Sequence, residues 1–167
     1  MMNLNELKNC LEQIKPTVVE FFSSLLQNRD LIILIGNGGS NAVCSHLAQD
    51  YTKALGLKSI SFSDSSRLSC YMNDYGLENA YAKFIEHFAT QKSICILISS
   101  SGNSENILNA AKYCDENKID FVILSGFDEN NKLRSEFSKK ASLSYYVPSH
   151  DYGIVENLHS IFLHSVI

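Results

Sequence analysis

The sequence predicts an α/β fold built around a parallel β-sheet of five strands. Two continuous apolar runs, at residues 31–35 and 94–98, have the length and the Ile and Leu content of strands buried on both faces. After each run, a Gly-rich or Ser-rich segment leads into apolar residues at helical spacing. Strands that alternate with helices in this way form parallel sheets with right-handed crossovers, and ligands bind at the carboxyl ends of their strands.

The same patterns predict the remaining elements. Strands are expected at residues 30–35, 58–62, 94–98, 121–124 and 144–147, and helices at residues 4–27, 41–55, 80–88, 105–118 and 152–167. Pro16 is expected to kink or restart the first helix, because an interior proline removes a backbone hydrogen bond. Residues 64–76 and 125–139 are expected to be polar or charged connections. On the last helix, Glu156, His159 and His164 are expected to project polar chemistry.

Length, charge and cysteine pattern limit the class of protein. A chain of 167 residues, 45% hydrophobic and 19% charged, fits one domain over residues 1–167, in which residues 1–28 form a helix on the domain or at a subunit interface. A formal net charge of -4 without a basic stripe argues against nucleic-acid binding. The apolar runs are too short to cross a bilayer, so a soluble, cytoplasmic protein without a membrane partner is expected. Five widely spaced cysteines without a C-x-x-C pair are expected to be reduced core residues.

The segment between the second apolar run and its helix is suited to surround an anion. Its four hydroxyl groups belong to Ser99, Ser100, Ser101 and Ser104. They lie beside the N–H groups of a helix N-terminus, which attract anions. The segment contains no lysine or arginine, so the expected ligand is a phosphate held by neutral donors, as in a sugar phosphate rather than a triphosphate. The alternative is an ordinary polar turn with a serine cap.

The segment after the first apolar run, residues 36–40, reads Gly-Asn-Gly-Gly-Ser. It matches neither G-x-G-x-x-G nor a Walker motif with its lysine, so a dinucleotide or triphosphate site is not supported. Its glycines allow close approach of the backbone to a ligand. Downstream, His46 and Asp50 are four residues apart on one helix face, which by spacing alone favours a surface pair over metal ligands. Asp74 could orient substrate hydroxyls or could be a turn or cap residue.

In combination, these motifs resemble the sugar isomerase (SIS) domain, and specifically the phosphoheptose isomerases. The resemblance rests on residues 36–40, on His46 with Asp50, on residues 73–74 and on residues 99–104, and it extends from the N-terminal helix to the chain end. It implies a flavodoxin-like, three-layer α/β/α sandwich with a five-stranded parallel sheet, usually in a homotetramer with active sites at subunit interfaces. The implied reaction interconverts sedoheptulose 7-phosphate and D-glycero-D-manno-heptose 7-phosphate through an enediol, which is the first step of bacterial heptose synthesis.

The resemblance also implies roles for individual residues. The implied substrate-binding residues are Asn37, Gly38, Ser40, Asp74, Ser99, Ser100, Ser101, Ser104 and Glu156. A zinc ion, one per subunit, would be bound by His46, Asp50, Glu156 and His164. In the catalytic interpretation, Asp50 is the base and His164 the partner acid or base, since histidine titrates near neutral pH.

Three positions depart from the family pattern, which usually has Glu in place of Asp50, Gln in place of Glu156 and an acidic residue near Gly153. Because Asp50 is one methylene shorter, a base there must lie closer to the substrate or act through water. Two function classes are therefore compared. One is the isomerase, and the other is a noncatalytic SIS module that binds a sugar phosphate or a replication-initiator protein. The retained His164 and the carboxylates favour the enzyme.

Overall fold

The computed structural model describes residues 2–167, and its five strands form one parallel sheet in the order β2-β1-β3-β4-β5. The strands are β1 (Ile32–Gly36), β2 (Ser59–Ser61), β3 (Ile94–Ser99), β4 (Asp120–Ser125) and β5 (Leu143–Tyr146). This order is that of flavodoxin-like sheets. The expected α/β class, strand number and parallel pairing are confirmed.

Eight helices are found within the described residues. They are α1 (Leu4–Leu11), α2 (Pro16–Leu26), α3 (Gly38–Leu55), α4 (Ser65–Tyr75), α5 (Ala80–Phe88), α6 (Glu105–Glu116), α7 (Lys132–Phe137) and α8 (Tyr152–His164). Among residues 2–167, no helix has both the length and the apolar character that crossing a membrane requires.

Alternate residues of the central strands point to opposite faces of the sheet, and each face carries its own apolar core. On one face, Ile33, Cys95 and Ile123 pack with residues of α5, α6 and α7. On the other face, Leu34 and Ile96 pack with residues of α2, α3 and α8. Helices on both faces make the three-layer sandwich.

The helices differ from the prediction mainly at the start of α3 and in two expected connections. At the N-terminus, the expected restart at Pro16 is observed, because Pro16 is the first residue of α2, where its missing N–H costs nothing. Helix α3 begins at Gly38 and not at residue 41, since the low helix propensity of glycine concealed its first turn. The expected connections at 64–76 and 125–139 contain α4 and α7, whose N-caps are the side chains of Asp64 and Asn131.

The cysteine prediction holds for four residues. Cys10, Cys44, Cys95 and Cys114 are free and buried, whereas Cys70 is free but exposed on α4. Helix α4 has no buried residue within the described chain, and this explains both the exposed thiol and the weak apolar signal of the segment.

The strand order reverses between β1 and β3, which are paired along their whole length from Ile32 opposite Ile94 to Gly36 opposite Ile98. The chain leaves β1 toward β2 on one side and leaves β3 toward β4 on the other. The two connections therefore diverge and leave a crevice at the carboxyl ends of these strands.

The loop after β3 has one defined shape. Gly102 has φ +65°, its N–H donates to the Ser99 carbonyl oxygen (3.0 Å), and its own carbonyl oxygen accepts from the Leu133 N–H (2.9 Å). A β-carbon at residue 102 would overlap the buried side chain of Asn131, which also caps α7. Glycine is thus required here for both the backbone conformation and the space.

We predict that Gly102→Ala destabilises the fold by about 3 kcal/mol, from about 1 kcal/mol for the left-handed backbone and about 2 kcal/mol for the overlap with Asn131. Gly56→Ala is the matched control. Gly56 has φ +68° and no atom within 4 Å of the added β-carbon, so only the backbone cost, about 1 kcal/mol, applies. Urea denaturation of both variants measures the difference. Equal losses would show that Asn131 does not restrict this loop.

Candidate functional site

The crevice between the connections after β1 and β3 has a volume of about 240 Å³. Its lining residues are Asn37, Gly38, Gly39, Ser40, Ile98, Ser99, Ser100, Ser101, Ser104, Tyr152 and Glu156. Eight of the nine residues expected to bind substrate are therefore brought together, and Asp74 is the exception. None of the described residues that line the crevice is a lysine or arginine, so its donors are neutral.

The serine hydroxyls of the crevice form a short chain that leaves donors free. The Ser99 hydroxyl donates to Ser104 Oγ (3.1 Å) and accepts from the Gly102 N–H (3.1 Å). Ser101 Oγ accepts from the Asn103 N–H (3.3 Å). Because Ser101 and Ser104 accept in these bonds, their own hydroxyl protons are available to a ligand.

Two helix N-termini open on this crevice, and no described side chain caps either of them. Helix α3 begins after Asn37 and helix α6 begins after Ser104. The side chains of Asn3, Asp64, Asn131 and Asp151 cap α1, α4, α7 and α8, whereas α2 and α5, away from the crevice, also have no cap among the described side chains. Uncapped N–H groups and the positive ends of two helix dipoles attract an anion.

Asn37 contributes its backbone to the crevice, but its side chain is already engaged. Its Nδ2 donates to Asn106 Oδ1 (2.9 Å), and its Oδ1 accepts from Asn106 Nδ2 (3.0 Å) and from the Tyr81 hydroxyl (2.8 Å). Burial raises the pKa of Tyr81 to about 12, so its hydroxyl stays a donor at neutral pH. The expected contact between substrate and the Asn37 side chain thus has to compete with three hydrogen bonds.

Glu156 is the fifth residue of α8 and places its carboxylate against Gly39, at the start of α3. A β-carbon at residue 39 would collide with that carboxylate, so the glycine permits this approach. The crevice therefore has an anion-attracting side, formed by the serines, and an accepting side, formed by Glu156. Sugar hydroxyl groups are donors suited to the carboxylate.

A second group lies further along α3 and α8, where His46, Asp50 and His164 each place one ligand atom within 4.8 Å of the others. Asp50 Oδ2 lies 3.1 Å from His46 Nε2 and 3.6 Å from His164 Nε2, and the two imidazole ring centres are 5.2 Å apart. His46 is exposed, and the other two are half-buried. Two imidazole nitrogens and one carboxylate oxygen can bind a divalent metal ion and leave a position open.

The tautomer of His164 follows from its neighbours. Its Nδ1 lies 2.8 Å from the Ser160 carbonyl oxygen, which only accepts, so Nδ1 carries the proton. In the neutral form of the ring, Nε2 carries the lone pair and faces the Asp50 carboxylate. A metal ion or a proton between these two acceptors satisfies both of them.

Two expected site residues lie apart from the three-residue group. Glu156 precedes His164 by eight residues on α8, a rise of about 12 Å, so the single chain does not bring it to His46 and Asp50. Its assignment as a metal ligand stays a prediction. Asp74 is exposed near the end of α4, where its carboxylate accepts from Cys70 Sγ (3.4 Å) and Asn73 Nδ2 (3.0 Å).

The expectation that His159 projects polar chemistry from α8 is wrong. His159 is buried, and its Nε2 donates to the Ser125 carbonyl oxygen (3.1 Å). Burial lowers the pKa of His159 to about 4, so the ring is neutral and belongs to the core. Sequence patterns also missed the contribution of Tyr81 and Asn106, because both lie within apolar helix patterns and carry no motif of their own.

The matches to known proteins agree with this geometry. The SIS domain family model matches residues 5–126. A phosphoheptose isomerase from Helicobacter pylori (strain P12) is 30% identical, over 95% of this chain and 84% of that protein. The chain belongs to the phosphoheptose isomerase family of SIS domains. A phosphoheptose isomerase from Aliarcobacter butzleri (strain RM4018) is 31% identical, over 93% of this chain and 81% of the relative.

The fold of the family is also matched in three dimensions. The structure of phosphoheptose isomerase GmhA from Neisseria gonorrhoeae has a TM-score of 0.85 and 25% identity, and the match covers 96% of this chain and 88% of that chain. A phosphoheptose isomerase from Francisella tularensis, 20% identical, shares the fold with a TM-score of 0.82 over 96% of this chain and 88% of its own. The family resemblance inferred from the motifs is confirmed.

We predict that the protein binds one divalent metal ion per chain at His46, Asp50 and His164. Calorimetric titration with Zn²⁺ should show His46→Gln and Asp50→Asn weakening the affinity at least tenfold, since each removes a ligand. His87→Gln is the control, because His87 is hydrogen-bonded to the Tyr71 hydroxyl (2.7 Å), outside the group. A metal affinity that none of these variants changes would rule this group out. Glu156→Gln tests the fourth ligand in the same titration.

Proposed function

We propose that this protein, as a single SIS domain, is an aldose-ketose isomerase that interconverts sedoheptulose 7-phosphate and D-glycero-D-manno-heptose 7-phosphate. The observation that carries the proposal is the pairing of two sites on one pair of helices. The crevice at the start of α3, between the serines that precede α6 and Glu156 of α8, suits a phosphate, and the group of His46, Asp50 and His164, further along α3 and α8, suits proton transfer or a metal ion. The family name of the relatives supports a phosphorylated heptose as the substrate.

The separation of the two sites supports an open seven-carbon chain. Ser40 and His46 are six residues apart on α3, a rise of about 9 Å. Eight bonds join C1 to phosphorus in an extended heptose 7-phosphate, which at about 3.5 Å per three bonds is also about 9 Å. If the phosphate of an extended substrate binds near the serines, its C1 therefore lies at the height of His46 along α3. The corresponding five-carbon phosphate is about 2 Å shorter.

The reaction moves two protons and leaves the carbon skeleton intact. Asp50 removes the proton from the carbon next to the carbonyl, which gives an enediol, and returns it to the neighbouring carbon. His164 Nε2, which carries the lone pair, accepts the proton of one oxygen and passes it to the other. Asp50 Oδ2 faces both imidazoles, which leaves Oδ1 for the carbon-bound proton. Zinc held by His46, Asp50 and His164 would polarise the carbonyl oxygen, but it would also occupy the His164 Nε2 lone pair, so the proton relay through His164 belongs to the metal-free site.

The proposal includes a homotetramer in the cytoplasm. Exposed apolar side chains support an assembly, because they lie on α1, α2, α8 and the chain end as Leu4, Leu11, Phe21, Ile161 and Ile167. Ile161 lies beside His164 on α8, so a subunit covering it would also close the open side of the proposed site. A charged sugar phosphate does not cross membranes, and the proposed role as the first step of heptose synthesis for lipopolysaccharide or capsule places the enzyme with its substrate.

We expect the purified protein to convert sedoheptulose 7-phosphate to the aldose, and Asp50→Asn or His164→Gln to lower kcat at least a hundredfold by removing a proton-transfer group. Chromatographic separation of ketose and aldose measures turnover with and without Zn²⁺. His87→Gln should keep the parental rate, because His87 belongs to neither site. Absence of turnover in the parent under both conditions would favour the noncatalytic SIS module.

The crevice is tested in the same assay by replacing both Ser101 and Ser104 with Ala. Loss of two neutral donors to a charged group weakens binding by roughly 1–3 kcal/mol in total, so KM should rise about 5- to 150-fold. The kcat should fall much less than in the Asp50→Asn variant. An unchanged KM would place the phosphate elsewhere.

A further inference from the structure

The side chains of half-buried Asn37 and of buried Asn106 and Tyr81 form a hydrogen-bonded cluster at the point where the strand order reverses. The two amides exchange hydrogen bonds of 2.9 Å and 3.0 Å, and the Tyr81 hydroxyl lies 2.8 Å from Asn37 Oδ1 and 2.9 Å from the Gly36 carbonyl oxygen. Tyr81 is 2% exposed and Asn106 is 6% exposed. The cluster joins the last residue before α3 to the first turn of α6.

The cluster occupies the atom that would otherwise cap α3. Asn37 precedes the helix with extended backbone angles, φ -107° and ψ 150°, as N-cap residues do. Asn3 and Asn131 hold the same position before α1 and α7, and in both the side-chain oxygen accepts from the helix that follows, whereas Asn79 before α5 does not cap and lacks the extended backbone (ψ -13°). Asn37 Oδ1 instead accepts from Asn106 and Tyr81, and α3 has no side-chain cap from any described residue.

We propose that Asn106 and Tyr81 are positioning residues that keep Asn37 from capping α3, so that the first N–H groups of α3 remain free for the substrate phosphate. This inference rests on the proposed function in that it takes the crevice to be the phosphate site. Whereas Asn3 and Asn131 bind the first N–H groups of α1 and α7, Asn37 would leave those of α3 free. No described side chain forms a cap hydrogen bond at the start of α3, although the Glu156 carboxylate lies against Gly39, and a ligand can complete the helix.

A purely structural role for the cluster does not explain why α3 lacks a side-chain cap. The ladder between β1 and β3 already continues to Gly36 opposite Ile98, which fixes the strand ends without the amide pair. An ordinary Asn cap on α3 would stabilise the helix in the absence of ligand. In the observed arrangement α3 lacks this cap, and its first N–H groups stay unpaired with the described side chains. Such groups stabilise a bound anion, but they do not stabilise the protein without ligand.

The test is binding of inorganic phosphate to the full chain, measured by calorimetry at one fixed pH. Asn106→Ala frees Asn37 Oδ1 from one donor and its Nδ2 from its acceptor, so Asn37 can turn to α3 and compete with phosphate. We expect about tenfold weaker binding, the effect of one cap hydrogen bond. Asn109→Ala is the matched control, since Asn109 lies on the same helix and donates to the Glu78 carbonyl oxygen (2.9 Å) outside the cluster. It should bind phosphate within about twofold of the parent, because it leaves the Asn37 contacts intact.

A second substitution separates positioning from stability. Adding Asn37→Gly to Asn106→Ala removes the competing cap and should restore most of the lost phosphate affinity. A merely structural cluster predicts a further loss instead. Tyr81→Phe is an independent variant that keeps the buried ring but removes the hydroxyl that donates to Asn37. We expect phosphate binding to weaken by only about threefold, because Asn37 keeps its hydrogen bonds with Asn106.

Three results would overturn the inference. These are parental phosphate affinity in Asn106→Ala, an equal loss in Asn109→Ala, or no recovery when Asn37→Gly is added. Should Asn106→Ala fail to fold, parental affinity in Tyr81→Phe has the same consequence. Failure of the proposed function looks different, because a parent that binds phosphate in this pattern without isomerising sedoheptulose 7-phosphate leaves the inference intact and removes the enzyme.

Discussion

The parallel pairing of β1 with β3 is the constraint on which the rest of the site depends. Five consecutive residue pairs hold the two strands in register, so both end at the same level of the sheet. The chain then turns away from the pair in opposite directions, and the helices that follow, α3 and α6, begin side by side. The crevice, its free N–H groups and its serine hydroxyls all result from this one register.

A second constraint aligns the distant half of the site. Helices α3 and α8 start together where Glu156 contacts Gly39, and they remain together at their far ends, where the buried Tyr51 hydroxyl donates to the Leu163 carbonyl oxygen (2.9 Å). Phe22 of α2 stacks on Phe162, with ring centres 5.1 Å apart, and supports α8 from behind. Asp50 directly precedes Tyr51, and His164 directly follows Leu163, so both lie next to these buried contacts. The packing therefore fixes their separation, which is what pre-organised proton transfer requires.

The sequence was informative wherever one local pattern determines the result. The apolar runs at 31–35 and 94–98 predicted buried strands, and the serine segment predicted a polar crevice at the strand ends, because strand ends and helix starts follow from local spacing. Residues whose role comes from packing were missed. Tyr81 looks like one apolar position of α5, and only the fold brings its hydroxyl to Asn37. Spacing placed Glu156 with His164, but a rise of about 12 Å along α8 separates them.

An extended sugar phosphate is proposed to lie along α3 and α8, with its phosphate at the starts of α3 and α6 and its reactive end at Asp50 and His164. A crystal structure with the inert open-chain analogue, a heptitol 7-phosphate, tests this placement most directly. We expect phosphate oxygens within hydrogen-bond distance of the Ser101 and Ser104 hydroxyls and of N–H groups in the first turn of α3. We also expect the C1 or C2 hydroxyl within reach of His164 Nε2. A phosphate bound outside this crevice, or a carbon chain directed away from α8, would contradict the proposed placement.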